Sequence, residues 1–433
     1  MADKLRVGIL GFGTVGTGVV KGLTKNAELI AFRTGMTITI TRIAVSNINR
    51  KREIEVNPAI ITTDASQVTD ADDIDLVVEL IGGTDLAKDY VLAALNNGKS
   101  VVTANKSLIA KHGEELFQAA KKSDADLYYE ASVAGGIPII KGLREGFAGN
   151  HIECIYGILN GTCNYILTRM ENEGVDFEPV LKEAQALGYA EADPELDVEG
   201  WDAAHKTCIL GSLAYGAWYD MDEVHVEGIS TLDQQDVKNA ANLGYKIKLL
   251  GIIKHDSDQV QMRVHPTLLP QDKMLAKVDG VNNSVCVTGD FVGDAMFYGQ
   301  GAGMEATASS VISDIVDVAL NWKHKVNNRL PAFVEHTHYQ KNLLPMSEIV
   351  CRYYIRLALA DKPGTLGIVT SIFGKYDISL ETVLQTASDS TNSVPVIIIT
   401  HQAKEANIRA ALKEIEESPV SDAKPIMIRI EDM

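Results

Sequence analysis

The chain is short of cysteine, of long apolar runs and of positive charge, and each shortage removes a class of function. Its five cysteines, Cys154, Cys163, Cys208, Cys286 and Cys351, are odd in number, scattered and without a C-x-x-C pair. That pattern fits reduced, buried thiols better than a disulfide framework or a zinc site, and it points to the cytoplasm. No apolar stretch approaches the ~18 residues that span a bilayer, and the run Leu5 to Leu10 is too short for a targeting core. A formal net charge of −18 repels phosphate backbones and acidic lipid surfaces, and no basic patch offsets it. Neither nucleic acid nor a membrane is therefore expected as a partner. Internal repeats and low-complexity tracts are missing too. What remains is an ordinary globular composition over 433 residues, long enough for two or three domains with buried cores.

Directly after Leu5 to Leu10 the chain reads G-F-G-T-V-G, with Gly11, Gly13 and Gly16 spaced as in a dinucleotide-binding turn. Such a turn bends sharply, lets a pyrophosphate approach the backbone and packs its helix close to the sheet, while the helix N-terminus offers unpaired N–H groups. A glycine-rich turn can match by chance, so context decides. Thr14 to Phe32 reads as a helix and Thr37 to Ser46 as a strand. Further strands are expected at Asp75 to Leu80, Ser100 to Thr103 and Asp126 to Ser132, with helices at Gly83 to Asn97 and Lys106 to Lys122. This alternation predicts a doubly wound parallel sheet of the Rossmann type over residues 1–133.

Residues 134–299 have another texture, helical first and then strand-like at Lys246 to His255, Gln259 to Leu268 and Ser284 to Phe291, which predicts an α+β substrate and dimerisation domain. A helix over Ala302 to Lys323 is expected to rejoin the first domain. Residues 325–348 read as a linker. The remainder, 349–433, gives β-α-β-β-α-β, with strands at Cys351 to Ala360, Ser379 to Ala387, Val394 to His401 and Lys424 to Glu431 and helices at Thr365 to Tyr376 and Glu405 to Glu417. That order predicts a ferredoxin-like module.

The densest polar cluster is G-Y-A-E-A-D-P-E-L-D-V-E-G-W-D-A-A-H-K, Gly188 to Lys206, where Glu191, Asp193, Glu195, Asp197, Glu199 and Asp202 crowd six carboxylates before Lys206. It is either a solvated acidic loop followed by an ordinary i,i+4 Asp–Lys pair, or a site for a small amino acid with a reacting hydroxyl or carbonyl. Lys106 follows the strand ending at Thr103, where open α/β sheets bind ligands, although a surface lysine is the plain alternative. Tyr129 to Pro138, Y-E-A-S-V-A-G-G-I-P, is either a hinge or a place where carbonyls and Glu130 hold a hard cation. His205 is read as a solvated or core histidine. After the second strand the chain offers Ala44-Val45-Ser46-Asn47 and then Arg50-Lys51-Arg52 where NAD-specific loops place an acid. The basic triplet favours a 2′-phosphate, with Arg50 as a contact, unless it is simply a solvated turn.

Taken together, G-F-G-T-V-G, T-A-N-K-S-L, Y-E-A-S-V-A-G-G-I-P, N-G-T-C-N-Y at Asn160 to Tyr165 and G-Y-A-E-A-D-P through D-A-A-H-K resemble homoserine dehydrogenases of the long bacterial form, over nearly the whole chain. The resemblance implies NAD(P)-dependent interconversion of L-homoserine and L-aspartate 4-semialdehyde. It implies Lys206 as general acid and base, Asp202 as the group that positions the reacting oxygen, Glu191 and Asp197 as amino-acid contacts, and Lys106 between nicotinamide and substrate. Phe12, Thr14 and Val15, with the three loop glycines, would hold the pyrophosphate; Thr103, Gly188 and Gly303 would line the cofactor. Glu130 and the carbonyls of Val133, Gly135 and Ile137 would bind a monovalent cation, sodium. Asp361-Lys362-Pro363-Gly364-Thr365-Leu366 resembles the first loop of ACT domains, which implies a paired module and a homodimer or homotetramer. Threonine is then the expected effector, with oligomerisation as the other role for the module. Truncation after Pro345 is expected to spare activity and remove any threonine inhibition.

Overall fold

The computed structural model describes residues 3–327, 329–335, 342–385 and 393–433. Parts of the expected linker, 328 and 336–341, and the end of the strand expected over 379–387 lie outside them.

The N-terminal sheet is parallel, built from β1 (Asp3–Leu10), β2 (Met36–Ala44), β3 (Ile61–Thr62), β4 (Leu76–Glu79), β5 (Ser100–Thr103) and β6 (Leu127–Tyr128), in the order β3-β2-β1-β4-β5-β6. The order reverses between β1 and β4, whose adjacent C-terminal ends open a crevice. Leu5, Val7, Ile9, Leu76, Val77, Val78, Val101 and Val102 are buried, as strands covered by helices on both faces require. The helix Met304–His324 packs along Thr14–Lys25, so the chain does return to this sheet.

The second sheet joins β12 (Gly293–Gln300), β11 (Asn282–Gly289), β7 (Ile152–Ile158), β9 (Tyr245–Asp256), β10 (Gln259–Pro270), β17 (Ile426–Ile430), β13 (Val350–Ala360), β15 (Ser393–Thr400) and β14 (Leu380–Gln385) in that order. The short strands β8 (His225–Val226) and β16 (Ala403–Lys404) pair with β10 and β13. Within the C-terminal module the order β17-β13-β15-β14, with helices Thr365–Lys375 and Glu405–Glu416 between strands, is the ferredoxin-like arrangement. Its edge is not free. β17 pairs with β10 in parallel at Thr267–Arg429 and Leu268–Ile430, so the two regions share one sheet.

Several boundaries moved. The expected first helix breaks at Asn26 into Thr14–Lys25 and Ala27–Thr34. The strand expected over Asp126 to Ser132 is only Leu127–Tyr128, because Glu130–Ser132 turns into a 3-10 helix. β3, β7 and β12 were not read from the sequence. No helix among the described residues is long and apolar enough to cross a membrane.

Candidate active site

The glycine loop forms the floor of a cleft of about 500 Å³ lined by Leu10 to Gly13, Ala44 to Asn47, Arg50, Arg52 and Leu80 to Gly82 among others. Gly11 has φ +101°, and a Cβ there would stand 2.7 Å from the Leu80 carbonyl oxygen. At Gly13 a Cβ would meet nothing within 4 Å, so the space a pyrophosphate needs is open. Gly13 caps the helix Thr14–Lys25 without a side-chain bond, leaving its first N–H groups unpaired by any cap. These features fit a dinucleotide. Phe12 is buried, Val15 is half-buried against the core and Thr14 is exposed. Gly188 and Gly303 both have positive φ and open space at Cβ.

Arg50 lines the cleft, but Arg52 is the better-held cation. Its guanidinium lies 5.1 Å from the Phe12 ring centroid and donates to the carbonyls of Arg50 at 2.9 Å and Asn47 at 3.0 Å. Sequence reasoning singled out the triplet, not the stacking that distinguishes its third member. Thr103 is fully buried and donates its hydroxyl to Glu79 at 2.6 Å. Glu79, missed in the sequence, also accepts from the Ile81 and Gly82 amides, tying the ends of β4 and β5 together.

Beyond β5, Asn105 accepts the Leu108 amide and starts the helix Lys106–Lys122, which puts Lys106 on its first turn. Lys106 Nζ lies 2.5 Å from Asp202 Oδ1. Asp202 is on the first turn of the helix Trp201–Tyr215, which starts at Gly200, a residue with φ +86°. One turn on, Lys206 Nζ donates to Asp202 Oδ2 at 2.7 Å and to the Leu159 carbonyl, just past β7, at 2.7 Å. The spacing that could have been a surface i,i+4 pair is instead buried, with Asp202 at 6% and Lys206 at 8% exposure. Asp202 therefore bridges two lysines, one from the helix Lys106–Lys122 that follows the parallel sheet and one from its own helix.

The electrostatics follow from two cations sharing one anion. Burial works against the Asp202 carboxylate, but Lys206 and Lys106 outweigh it and hold its pKa far below the usual range. Lys106 is raised, since Asp202, Asp197 and Glu191 overcome its desolvation. Lys206 goes the other way: burial, aided by the Lys106 charge, wins over Asp202 and lowers its pKa. The sequence left that competition open. Of the other acids, Asp197 is turned inward while Glu191, Asp193 and Glu195 remain exposed. Burial and the Asp202 charge raise the Asp197 pKa. Asn160 and Thr162, quoted in the motif N-G-T-C-N-Y but given no role, contact Asp197 through their side chains.

Glu130 is buried, and each of its carboxylate oxygens accepts one backbone amide, from Ile140 and Lys141. Burial raises its pKa to about 7. Val133, Gly135 and Ile137 follow on the same turn, where Ala134 and Gly135 both have positive φ, and the Gly135 carbonyl accepts the Ser310 hydroxyl. Among the described residues no cluster of three or more His, Cys, Asp or Glu is arranged to hold a metal ion. His205 is half-buried with a lowered pKa, caused first by burial.

Comparison with known proteins bears on the same features. Residues 11–130 match the family model "Homoserine dehydrogenase, NAD binding domain", 138–316 match "Homoserine dehydrogenase", and 353–417 match "ACT domain". A homoserine dehydrogenase of Neisseria gonorrhoeae is 44% identical over 432 residues, 99% of each chain. The crystal structure of a homoserine dehydrogenase from Thiobacillus denitrificans superposes with a TM-score of 0.93 at 44% identity, covering 99% of both chains. A hyperthermophilic archaeal homoserine dehydrogenase in complex with NADPH is 27% identical, with a TM-score of 0.62, over 73% of this chain and 98% of its own.

Proposed function

The chain belongs to the homoserine dehydrogenase family, and from that premise we propose how its residues divide the work. It is an oxidoreductase that uses a nicotinamide cofactor to interconvert L-homoserine and L-aspartate 4-semialdehyde, in the synthesis of threonine, methionine and isoleucine.

One observation carries the assignment. Lys206 has two of its three N–H groups engaged, by Asp202 and Leu159, and the third has no partner among the described residues. A protonated Lys206 thus offers one hydrogen to the substrate oxygen, and a neutral one offers its lone pair at the same place. The bound nicotinamide supplies or takes the hydride. As the aldehyde is reduced, negative charge grows on its oxygen, and Lys206 stabilises that charge and then donates the proton. In the oxidation of homoserine, the lowered pKa favours the neutral amine that accepts the hydroxyl proton. Asp202 orients both lysines, and Lys106 lends its charge on the side of the nucleotide sheet. Asp197 and Glu191 receive the amino-acid ammonium.

Gly11, Phe12, Gly13, Thr14, Val15 and Gly16 hold the pyrophosphate in this reading, with Thr103, Gly188 and Gly303 beside the cofactor. Arg50, and more firmly Arg52, favour a 2′-phosphate, so NADP(H) is the better substrate or the equal of NAD(H). Glu130 with the carbonyls of Val133, Gly135 and Ile137 holds a monovalent cation, sodium. What supports this is a second buried acid, Asp314, bonded to the Glu130 amide and likewise raised in pKa by burial, so that a cation would relieve both. Threonine acts through the ACT module. The chain works as a homodimer or homotetramer; β12, at the end of its sheet, leaves an edge that a second copy can cover. Five free cysteines fit a reducing cytoplasm.

The reading is tested by following reduction of NADP+ and of NAD+ with L-homoserine, with threonine and sodium varied. Turnover with kcat/KM for NADP+ at least equal to that for NAD+ supports it. No turnover with L-homoserine would remove it.

A further inference from the structure

Asn160 ends an extended segment after β7 (φ −123°, ψ 113°) and caps the helix Gly161–Glu173, its Oδ1 accepting the Cys163 amide at 2.8 Å. Capping occupies only the oxygen. Serine, threonine or aspartate would cap as well, so the cap alone does not ask for an amide. The Nδ2 group has two hydrogens, and each goes to a different carboxylate: Asp197 Oδ1 at 2.8 Å and Asp202 Oδ2 at 2.8 Å. The latter oxygen is the one that also receives Lys206. Asn160 is only 4% exposed, so these bonds are sheltered from water.

We infer that Asn160 is a positioning residue for the reaction, a planar spacer that holds the ammonium-binding Asp197 and the lysine-binding Asp202 at a fixed separation. The inference rests on the reading that these two acids serve the substrate. A buried carboxylate and a half-buried one repel, and one neutral donor between them satisfies both without neutralising either, which leaves the negative charge available to the ammonium of homoserine. The first turn of the same helix reinforces the grip. Cys163 Sγ donates to the Asp197 carbonyl at 3.1 Å, and Thr162 Oγ1 donates to the Tyr189 carbonyl at 2.6 Å and lies 3.5 Å from Asp197 Oδ2.

The groups facing Asp197 set the sign of its response to pH. Asp202 and Lys206 face it from the helix Trp201–Tyr215, Lys106 from the helix Lys106–Lys122 and the Cys163 thiol from the helix Gly161–Glu173, while Glu191 acts on Lys106 and Glu199 on Cys163. Burial and Asp202 raise the Asp197 pKa; Asn160, Lys206 and Lys106 lower it. Losing the amide therefore moves the protonation of Asp197, and with it the loss of homoserine affinity, to higher pH.

Asn160→Ser keeps the cap and removes the bridge; Asn160→Asp keeps cap and shape and turns the bridge into a third negative charge. For Asn160→Ser, KM for L-homoserine should rise roughly tenfold, the value of a lost hydrogen bond to a charged group, with the acid limb of kcat/KM displaced upward and NADPH affinity unchanged. Asn160→Asp should exceed it on both counts. A wild-type KM and acid limb in both variants would reduce Asn160 to a helix cap and overturn the inference. Asp197→Asn, measured in parallel, separates the two claims. If its KM rises while both Asn160 variants stay wild-type, only the spacer falls; if its KM does not rise, the substrate role of Asp197 falls and the spacer with it.

Discussion

At the scale of single residues, the central fact is the inequality of two lysines that share one aspartate. Lys106, partly open to water and surrounded by Asp202, Asp197 and Glu191, has its pKa raised, while burial and that neighbouring charge lower the pKa of Lys206. The arrangement makes a testable demand on pH. On the proposed role of Lys206, homoserine oxidation draws on its neutral form, so the rate should rise with pH through the lowered pKa. Replacing Lys106 with methionine removes a positive neighbour and lets Asp202 act on Lys206 alone, and both changes raise the Lys206 pKa. The limb should therefore move to higher pH in Lys106→Met, as read from kcat against pH. An unmoved limb, or one displaced to lower pH, would show that Lys106 does not govern the proton on Lys206.

At the scale of elements, the sequence was most legible where a single period decided the outcome. Ser100–Thr103 and Lys106–Lys122 were read to the residue, because an all-buried strand and an amphipathic helix with an asparagine cap leave little choice. It was least legible where tertiary pairing decides. β3 is two residues long and exists only by hydrogen bonding to Ile43 and Ala44. β12 takes its extended form from β11, and β7 from β11 and β9 on its two sides. The acidic segment shows the same division. Six carboxylates were visible in the sequence, yet which two are bridged is set by Asn160, more than thirty residues upstream and brought beside them only by the fold. Arg52 was similar, since its distinction from Arg50 lies in a ring contributed by the first glycine turn.

At the scale of the whole molecule, the C-terminal module was read as an appendage on a linker, but its sheet continues the sheet of the catalytic region. The seam is charged and buried. Arg429 on β17 binds Glu227 and Glu405, Arg263 on β10 binds Glu431, and Lys254 on β9 reaches Glu431 at 2.6 Å. Glu227 stands next to Gly228, which packs on the Val198 carbonyl, and the Ile229 amide donates to that carbonyl at 2.8 Å, one residue from Asp197. Truncation after Pro345 would strip β17 from β10 and leave Arg263 and Glu227 without these partners, so it is a poor way to isolate regulation. Arg429→Gln removes the buried cation shared by Glu405, which is buried, and Glu227, which is half-buried, leaving Arg409 as their remaining guanidinium partner, and should lower stability by about 2 kcal/mol, measured by urea unfolding. An unchanged unfolding midpoint would mean that the seam bears no weight.

The proposed reaction depends on a proton carried by the amine at position 206. Steady-state turnover of Lys206→Ala with L-homoserine, beside direct titration of NADPH into the same variant, tests it most directly. The expected result is a loss in kcat of about 100-fold or more with nucleotide affinity nearly intact. Turnover close to that of the unaltered enzyme would contradict it.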